Sequence, residues 1–477
     1  MNQQVKKQIR KIAGDSNFSD KEEDLLCYSY DGTPLLSKLP EAVVFPENEE
    51  QISGIVKLAN QENFNIVPRG AGTGLSGGSI PVDNCIVLVM TRWNKILEID
   101  SNNLTVTVQP GVVTAVLQNE VERTGLFYPP DPGSMNVCTL GGNVANNAGG
   151  LRGLKYGVTK NYVLGTEMIL PSGELLKTGG KNFKDAAGYN LRDFIVGSEG
   201  TLGVITKILL KLIPKPTASV TLLAYFDRLL DSAKAVSDII AAHITPCMIE
   251  FLDNTTINCV EDYTKIGLPV NSQAMLLIEV DGRGSSVFED ADVVFNILKQ
   301  NNAAAVKKTE DAAEALILKT ARRSAFSALA RRRPTTILED ATVPRSELPV
   351  MIEKITEASK KFDLTIGNFG HAGDGNLHPT CLTDERDNKE ITRAHKAFEF
   401  IFSEAIKLGG TITGEHGTGL AKKKFLEQAA GIPGVEMMKK IKASIDPNNI
   451  INPGKIFSIS PRCEGTMPRT QKEAMQN

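Results

Sequence analysis

The sequence predicts an α+β fold in two main bodies, the second built on a mainly antiparallel sheet. Three observations lead there. The 477 residues exceed what one ordinary core accommodates. Short apolar, strand-like runs alternate with stretches of helical periodicity. Pro214 and Pro216 then break the pattern before a second β-α-β series begins. A composition of 41% hydrophobic and 23% charged residues is that of a folded, loop-rich protein.

In chain order, residues 1–37 read as a polar, helical leader. Residues 38–216 form the first domain, with strands at Phe64–Val67, Cys85–Met90, Leu104–Val108 and Val204–Leu212. Between them Val113, Val116, Leu117 and Val121 recur at helical spacing over 112–124, and Gly125 supplies a left-handed stop. A second domain over 217–410 carries strands at Val220–Phe226 and Ala274–Val280 and helices near 231–242 and 287–300. Glycine, proline and asparagine return in a C-terminal segment, 411–457, and residues 458–477 form a polar tail.

Several function classes are excluded. A net charge of -3 offers no basic face for nucleic acid. The start MNQQVKKQIRKIAGD has no apolar core of a signal peptide, and no run approaches the ~18 apolar residues of a membrane span, so a cytoplasmic protein is expected. Seven cysteines, at 27, 85, 138, 247, 259, 381 and 463, include no C-x-x-C pair, which argues against a disulfide framework, structural zinc or an iron–sulfur cluster.

The segment Pro68-Arg69-Gly70-Ala71-Gly72-Thr73-Gly74-Leu75-Ser76-Gly77-Gly78 follows a short strand and frees many backbone N–H groups from side-chain obstruction, as a pyrophosphate cradle requires. Gly72-x-Gly74-x-x-Gly77 matches the dinucleotide fingerprint in letters only, because Pro81 and a strand follow it instead of a helix. No lysine follows in the manner of a P-loop. A second run, Pro129-Pro130-Asp131-Pro132-Gly133-Ser134 and then Cys138-Thr139-Leu140-Gly141-Gly142-Asn143-Val144-Ala145-Asn146-Asn147-Ala148-Gly149-Gly150, is small-residued and amide-rich, suited to close approach by a large planar ligand. A third is Gly197-Ser198-Glu199-Gly200-Thr201-Leu202-Gly203-Val204-Ile205-Thr206.

The chain's five histidines are at 243, 371, 378, 395 and 416. Asp374-Gly375 predicts a two-residue hairpin that sets His371 directly opposite His378 on one face. Two imidazoles plus a carboxylate suit a divalent metal, zinc or similar, and Glu415 in Thr413-Gly414-Glu415-His416-Gly417-Thr418-Gly419 is the candidate. Neighbours on a regular strand face opposite ways, so Glu415 and His416 serve one site only from an irregular backbone. The alternatives are satisfied core histidines or a metallohydrolase. The clustering of three of five histidines in two glycine-rich acidic motifs weighs against the first, and the glycine-rich runs against the second. His243 and His395 lie in helix-patterned contexts and are read as structural or exposed.

With PRGAGTGLSGG, PPDPGS…TLGGNVANNAGG, GSEGTLGVIT and DPNNIINPGKIF in this order, residues 38–457 closely resemble the vanillyl-alcohol oxidase/p-cresol methylhydroxylase superfamily. The resemblance is to its branch of D-lactate dehydrogenases, D-2-hydroxyglutarate dehydrogenases and the flavin subunit of glycolate oxidase. It implies a two-domain flavoprotein, with a p-cresol methylhydroxylase-type FAD-binding domain and a cap domain for substrate. By the resemblance, residues 69 to 78 hold the pyrophosphate, Thr139 to Asn147 line the flavin, and Ile205 and Asn452 touch it. Relatives that bind the flavin covalently use His or Cys. All five histidines here follow the first domain, so noncovalent FAD is expected. The resemblance further implies His371, His378 and Glu415 as metal ligands, His416 as base, and Arg322 as the partner of a substrate carboxylate. Read without it, Arg322 and Arg323 would be a solvated basic helix face. Leu338 stands where 2-hydroxyglutarate enzymes place a lysine, which favours a small monocarboxylate, D-lactate above glycolate. Electrons would leave to a separate acceptor such as an electron-transferring flavoprotein. The rival class is an electron-relay subunit of a larger complex.

Overall fold

The computed structural model describes residues 1–458, so the tail expected from 458 onward lies outside the described residues but for its first member. Residues 1–37 do not stand apart as a leader. The helix Gln3–Ala13, capped by the Asn2 side chain, buries Val5, Ile9 and Ala13 along one stripe. They pack in the core of a four-stranded sheet ordered Phe18–Ser19, Ala42–Val44, Cys85–Val89, Asn65–Arg69. Full burial of a Val or Ile is worth about 1.5–3 kcal/mol, so this helix is integral to the first domain. The last three strands of the sheet run parallel, and the helix Glu49–Glu62, capped by Asn48 and ended by left-handed Asn63, makes a crossover.

A five-stranded antiparallel sheet follows, ordered Ile96–Asp100, Thr105–Val108, Val204–Lys211, Val163–Ile169, Leu175–Gly179. Against it pack the helix Thr114–Glu122, which stops before Gly125 at φ 76, and the short helix Leu140–Asn146, capped by Thr139.

The second domain is one large, wholly antiparallel sheet. Its order is Ala303–Thr309, Ala218–Phe226, Ala274–Gly282, Met248–Asp253, Thr365–His371, Asn376–Thr383, Thr335–Leu338, with Ala341–Thr342 pairing Asn376–Thr383. The helices Leu229–Ala241, Ser286–Gln300, Leu348–Lys361 and Asn388–Lys407 contribute to its main core. The pair Met248–Asp253 and Asn254–Thr264 has no counterpart among the expected elements, because a glutamate interrupts the apolar strand pattern. The C-terminal segment comes back to the first domain: Ile66 N–H donates to Ile450 O, and Asn452 N–H to Ile66 O. Among the described residues no helix is long and apolar enough to cross a membrane.

Candidate functional site

A cleft of about 490 Å³ runs between the two domains. One wall is the backbone of residues 68–75 with Pro132, Gly133, Ser134, Thr139, Gly142, Asn143, Ala145, Asn146 and Ile205. The other carries Arg322, Arg323, Leu338, His371, His378, Glu415 and His416. Ser76, Gly77, Asn147 and Asn452, all expected at the flavin, do not line the cleft. Ser76 donates from Oγ to His416 O at 2.9 Å, and Gly77 N–H donates to Thr33 Oγ1 at 2.6 Å. Asn147 accepts from Lys160 N, and Asn452 donates to Gly78 O and Glu199 O. They brace the wall from behind, since a contiguous motif folded into a turn sends only part of its residues to one face.

The first wall fits a large nucleotide cofactor because it is made of main chain. A Cβ at Gly70 would collide with the Thr139 hydroxyl, and one at Gly72 with the Arg69 guanidinium, with Gly72 at φ 74. Asp31 and Thr33, from the segment expected to be a leader, tie this loop at Ser79 and Gly77. Burial lowers the Arg69 pKa, partly opposed by the Asp31 carboxylate.

On the second wall the hairpin differs from expectation. Its connection is the four residues 372–375, with His371 facing Asn376 and His378 facing Phe369. Ala372–Asp374 forms a helical turn and only Gly375 goes left-handed, at φ 72, whereas a two-residue turn of the Asp-Gly type needs positive φ at both positions. The histidines are therefore diagonal neighbours on one face, their rings 5.1 Å apart and nearly perpendicular. Glu415 Oε1 reaches both, 3.2 Å from His371 Nε2 and 3.3 Å from His378 Nε2. The three ligand atoms lie within 4.8 Å of one another, a donor set that fits a divalent ion.

Glu415 and His416 share the cleft because the 413–419 backbone is irregular. Asp340 Oδ2 accepts from Gly414 N at 2.7 Å and Glu415 N at 2.9 Å, and its Oδ1 pairs with the fully buried Lys422. The His416 ring stacks on His378 at 5.0 Å. Its Nε2 is 3.8 Å from Glu415 Oε1 and its Nδ1 3.6 Å from Asp340 Oδ1. Burial pushes the His416 pKa down to about 4, despite the Asp340 charge, so the imidazole is neutral near pH 7. Burial lowers His378 too. For His371 burial works the same way, but the Glu250 and Glu415 carboxylates overcome it and hold the pKa well above the usual value.

Two buried acids were missed as site residues. Glu250 Oε1 accepts from His371 Nδ1 at 2.7 Å, fixing which ring nitrogen faces Glu415, and Glu250 Oε2 is 2.5 Å from Arg322 Nη2. Asp340 organises the 413–419 loop. The legible signal for Glu250 is an acid in the middle of the apolar strand Met248–Asp253. Arg322, 4% exposed, lies in the last turn of the helix Ala312–Arg323; its Nη2 is ion-paired with Glu250, and its buried Nε makes no hydrogen bond. Arg323 instead donates to Asp131 at 2.8 Å, joining the domains. Leu338 packs with Leu151 and Phe369 on the cleft wall. His243 and His395 are exposed.

The family of FAD linked oxidases, C-terminal domain, matches residues 215–456, and the FAD binding domain family matches residues 40–179. The chain is a FAD-linked oxidoreductase. This flavoenzyme is 51% identical to the glycolate oxidase subunit GlcD of Bacillus subtilis, over 95% of the chain and 97% of that protein. It is 33% identical to a D-lactate dehydrogenase of Anaerostipes hadrus, over 87% and 89% of the two chains. Its fold is that of p-cresol methylhydroxylase, with a TM-score of 0.79 at 19% identity, covering 95% of this chain and 96% of that one.

Proposed function

We propose that the enzyme oxidises a small 2-hydroxy acid, D-lactate foremost. The observation that carries this is Arg322, a cleft-lining guanidinium whose buried Nε makes no hydrogen bond, on the same wall as Glu415 and His416. A buried donor calls for an acceptor, and a substrate carboxylate supplies one. His416 Nε2 then takes the hydroxyl proton, and Asp340 near Nδ1 steadies the imidazolium that results. FAD, when bound, supplies at N5 the acceptor for the hydride leaving C2. A divalent metal, zinc or similar, would be held by His371, His378 and Glu415, and would acidify the hydroxyl. Leu338, Leu151 and Phe369 offer a methyl group an apolar surface, which supports D-lactate. Glycolate is the second reading, supported by the Bacillus relative.

Noncovalent FAD belongs to the same proposal. Cys138 is the one thiol among the cleft-lining residues, and burial raises its pKa beside Thr114 Oγ1 at 3.3 Å, so it is a poor nucleophile. His371 and His378 are committed to Glu415. Acid precipitation releases the yellow colour if this holds and retains it in the pellet if it does not. Electrons leave to a separate acceptor such as an electron-transferring flavoprotein, consistent with cysteines too scattered to ligate a cluster. Anaerobic flavin bleaching with D-lactate, L-lactate and glycolate tests the substrate reading. Rapid bleaching by D-lactate supports it, preferential bleaching by glycolate selects the second reading, and bleaching by none removes both.

A further inference from the structure

The third glycine-rich run holds a side chain that none of these roles uses. Glu199 is 7% exposed, and its backbone stands at φ 53, a left-handed conformation uncommon for glutamate. Its main chain belongs to the flavin side of the cleft, where its N–H donates to Ala145 O at 2.7 Å and its carbonyl accepts from Asn452 Nδ2 at 2.9 Å. Its side chain crosses to the other side. Oε1 accepts from Thr418 N at 2.7 Å and Oε2 from Gly419 N at 2.7 Å.

Those two amides close the loop that presents Glu415 and His416. The opening amides of the same loop, Gly414 N and Glu415 N, bind Asp340 in the cap domain. One short segment is thus gripped at both ends by buried carboxylates from different domains. A loop with glycines at 414, 417 and 419 is intrinsically free to wander, and fixing each residue's backbone costs about 1–2 kcal/mol. Charge-assisted bonds to backbone N–H groups are among the stronger ones available to offset that cost. Gly417 permits the approach, since a Cβ there would come within 3.0 Å of Glu199 Cδ. A carboxylate is costly to bury merely as filler, and both of its oxygens here end on this loop.

We propose that Glu199 is a positioning residue: with Asp340 it clasps the 413–419 loop so that Glu415 and His416 both face the cleft, and it couples that loop to the wall that receives FAD. The inference rests on the roles proposed above for Glu415 and His416.

The test compares the full-length holoprotein with Glu199→Gln and Glu199→Asp. Glutamine keeps the size but turns one acceptor into a donor facing an N–H, and aspartate keeps the charge but falls a methylene short of the two amides. Three quantities are read: amide hydrogen exchange over 413–419, zinc affinity by chelator competition, and anaerobic flavin reduction. Both variants should lose exchange protection across the loop and bind zinc roughly tenfold more weakly. Flavin reduction at saturating substrate should slow at least about tenfold, with little change in the half-saturating concentration. A lower melting temperature with parental loop exchange, zinc affinity and reduction rate would overturn the proposal, as would loss of FAD with parental loop exchange. If no 2-hydroxy acid bleaches the parent yet exchange and zinc affinity respond, the substrate reading fails and the clasp stands. If the parent is bleached and the variants match its rate, the clasp fails.

Discussion

The two walls of the cleft are built from opposite materials. Between residues 68 and 75 the chain offers mainly backbone, with glycines where any Cβ would strike Thr139 or Arg69. The facing wall is crowded with ionisable side chains, three histidines and two arginines among them, with buried carboxylates behind. In the proposed reading the first selects by shape and the second acts by chemistry. Atoms added to the first wall, or removed from the second, are what should disable the enzyme.

The largest effect is expected at His416. His416→Ala is expected to slow anaerobic flavin reduction by about 10²- to 10⁴-fold, the usual range for a general base, while FAD content stays parental. Reduction at the parental rate would place the base elsewhere. Next comes Glu250→Gln, which replaces the charged acceptor that orients His371 with a neutral amide. Zinc affinity measured by chelator competition should drop about 10- to 100-fold, the usual cost of losing such a partner. An unchanged affinity would reduce Glu250 to a counter-ion of Arg322.

Legibility in the sequence follows the same division. Local patterns were readable: the helix expected over 112–124 is Thr114–Glu122, and the strand expected at Val204–Leu212 is Val204–Lys211. The glycine motifs marked the backbone wall because conformational demands are written locally. They did not distinguish Gly72, on the wall, from Ser76 and Asn452 behind it, since which side of a turn faces the ligand depends on the packing of the whole domain. The hairpin signal and the glycine-rich acidic motifs pointed to His371, His378 and Glu415, the resemblance pointed to His416, and the structure gathers all four. The hairpin register was misjudged because Asp374 stays helical. Glu250 and Asp340 were passed over as members of the site because their partners lie far away in sequence, as with Glu250 and His371, 121 residues apart.

A smaller effect is expected on the backbone wall. Gly72→Ala places a Cβ against Arg69 at a backbone φ of 74, and left-handed geometry costs an ordinary residue about 1–2 kcal/mol. That corresponds to roughly 5- to 30-fold weaker FAD retention, read from the flavin-to-protein absorbance ratio after dilution. Retention equal to the parent would show that this loop is not the cradle.

The smallest expected effect separates two adjacent arginines, and it sharpens the contrast within the chemical wall itself. Arg322→Ala would strand Glu250 in the interior, so the informative substitution is Arg322→Lys, which keeps a cation beside that carboxylate but lacks the planar fork. If Nε receives the substrate carboxylate while Nη2 holds Glu250, the half-saturating D-lactate concentration should rise about tenfold, equivalent to ~1.4 kcal/mol, with a smaller change in the maximal reduction rate. Arg323→Lys is the control. Arg323 also borders the cleft, but its guanidinium is engaged with Asp131 across the domain junction, so its replacement should affect thermal stability more than substrate affinity. Equal shifts in half-saturation for the two variants would mean that the wall attracts the acid by summed charge, and that the unpaired Nε of Arg322 does not single it out.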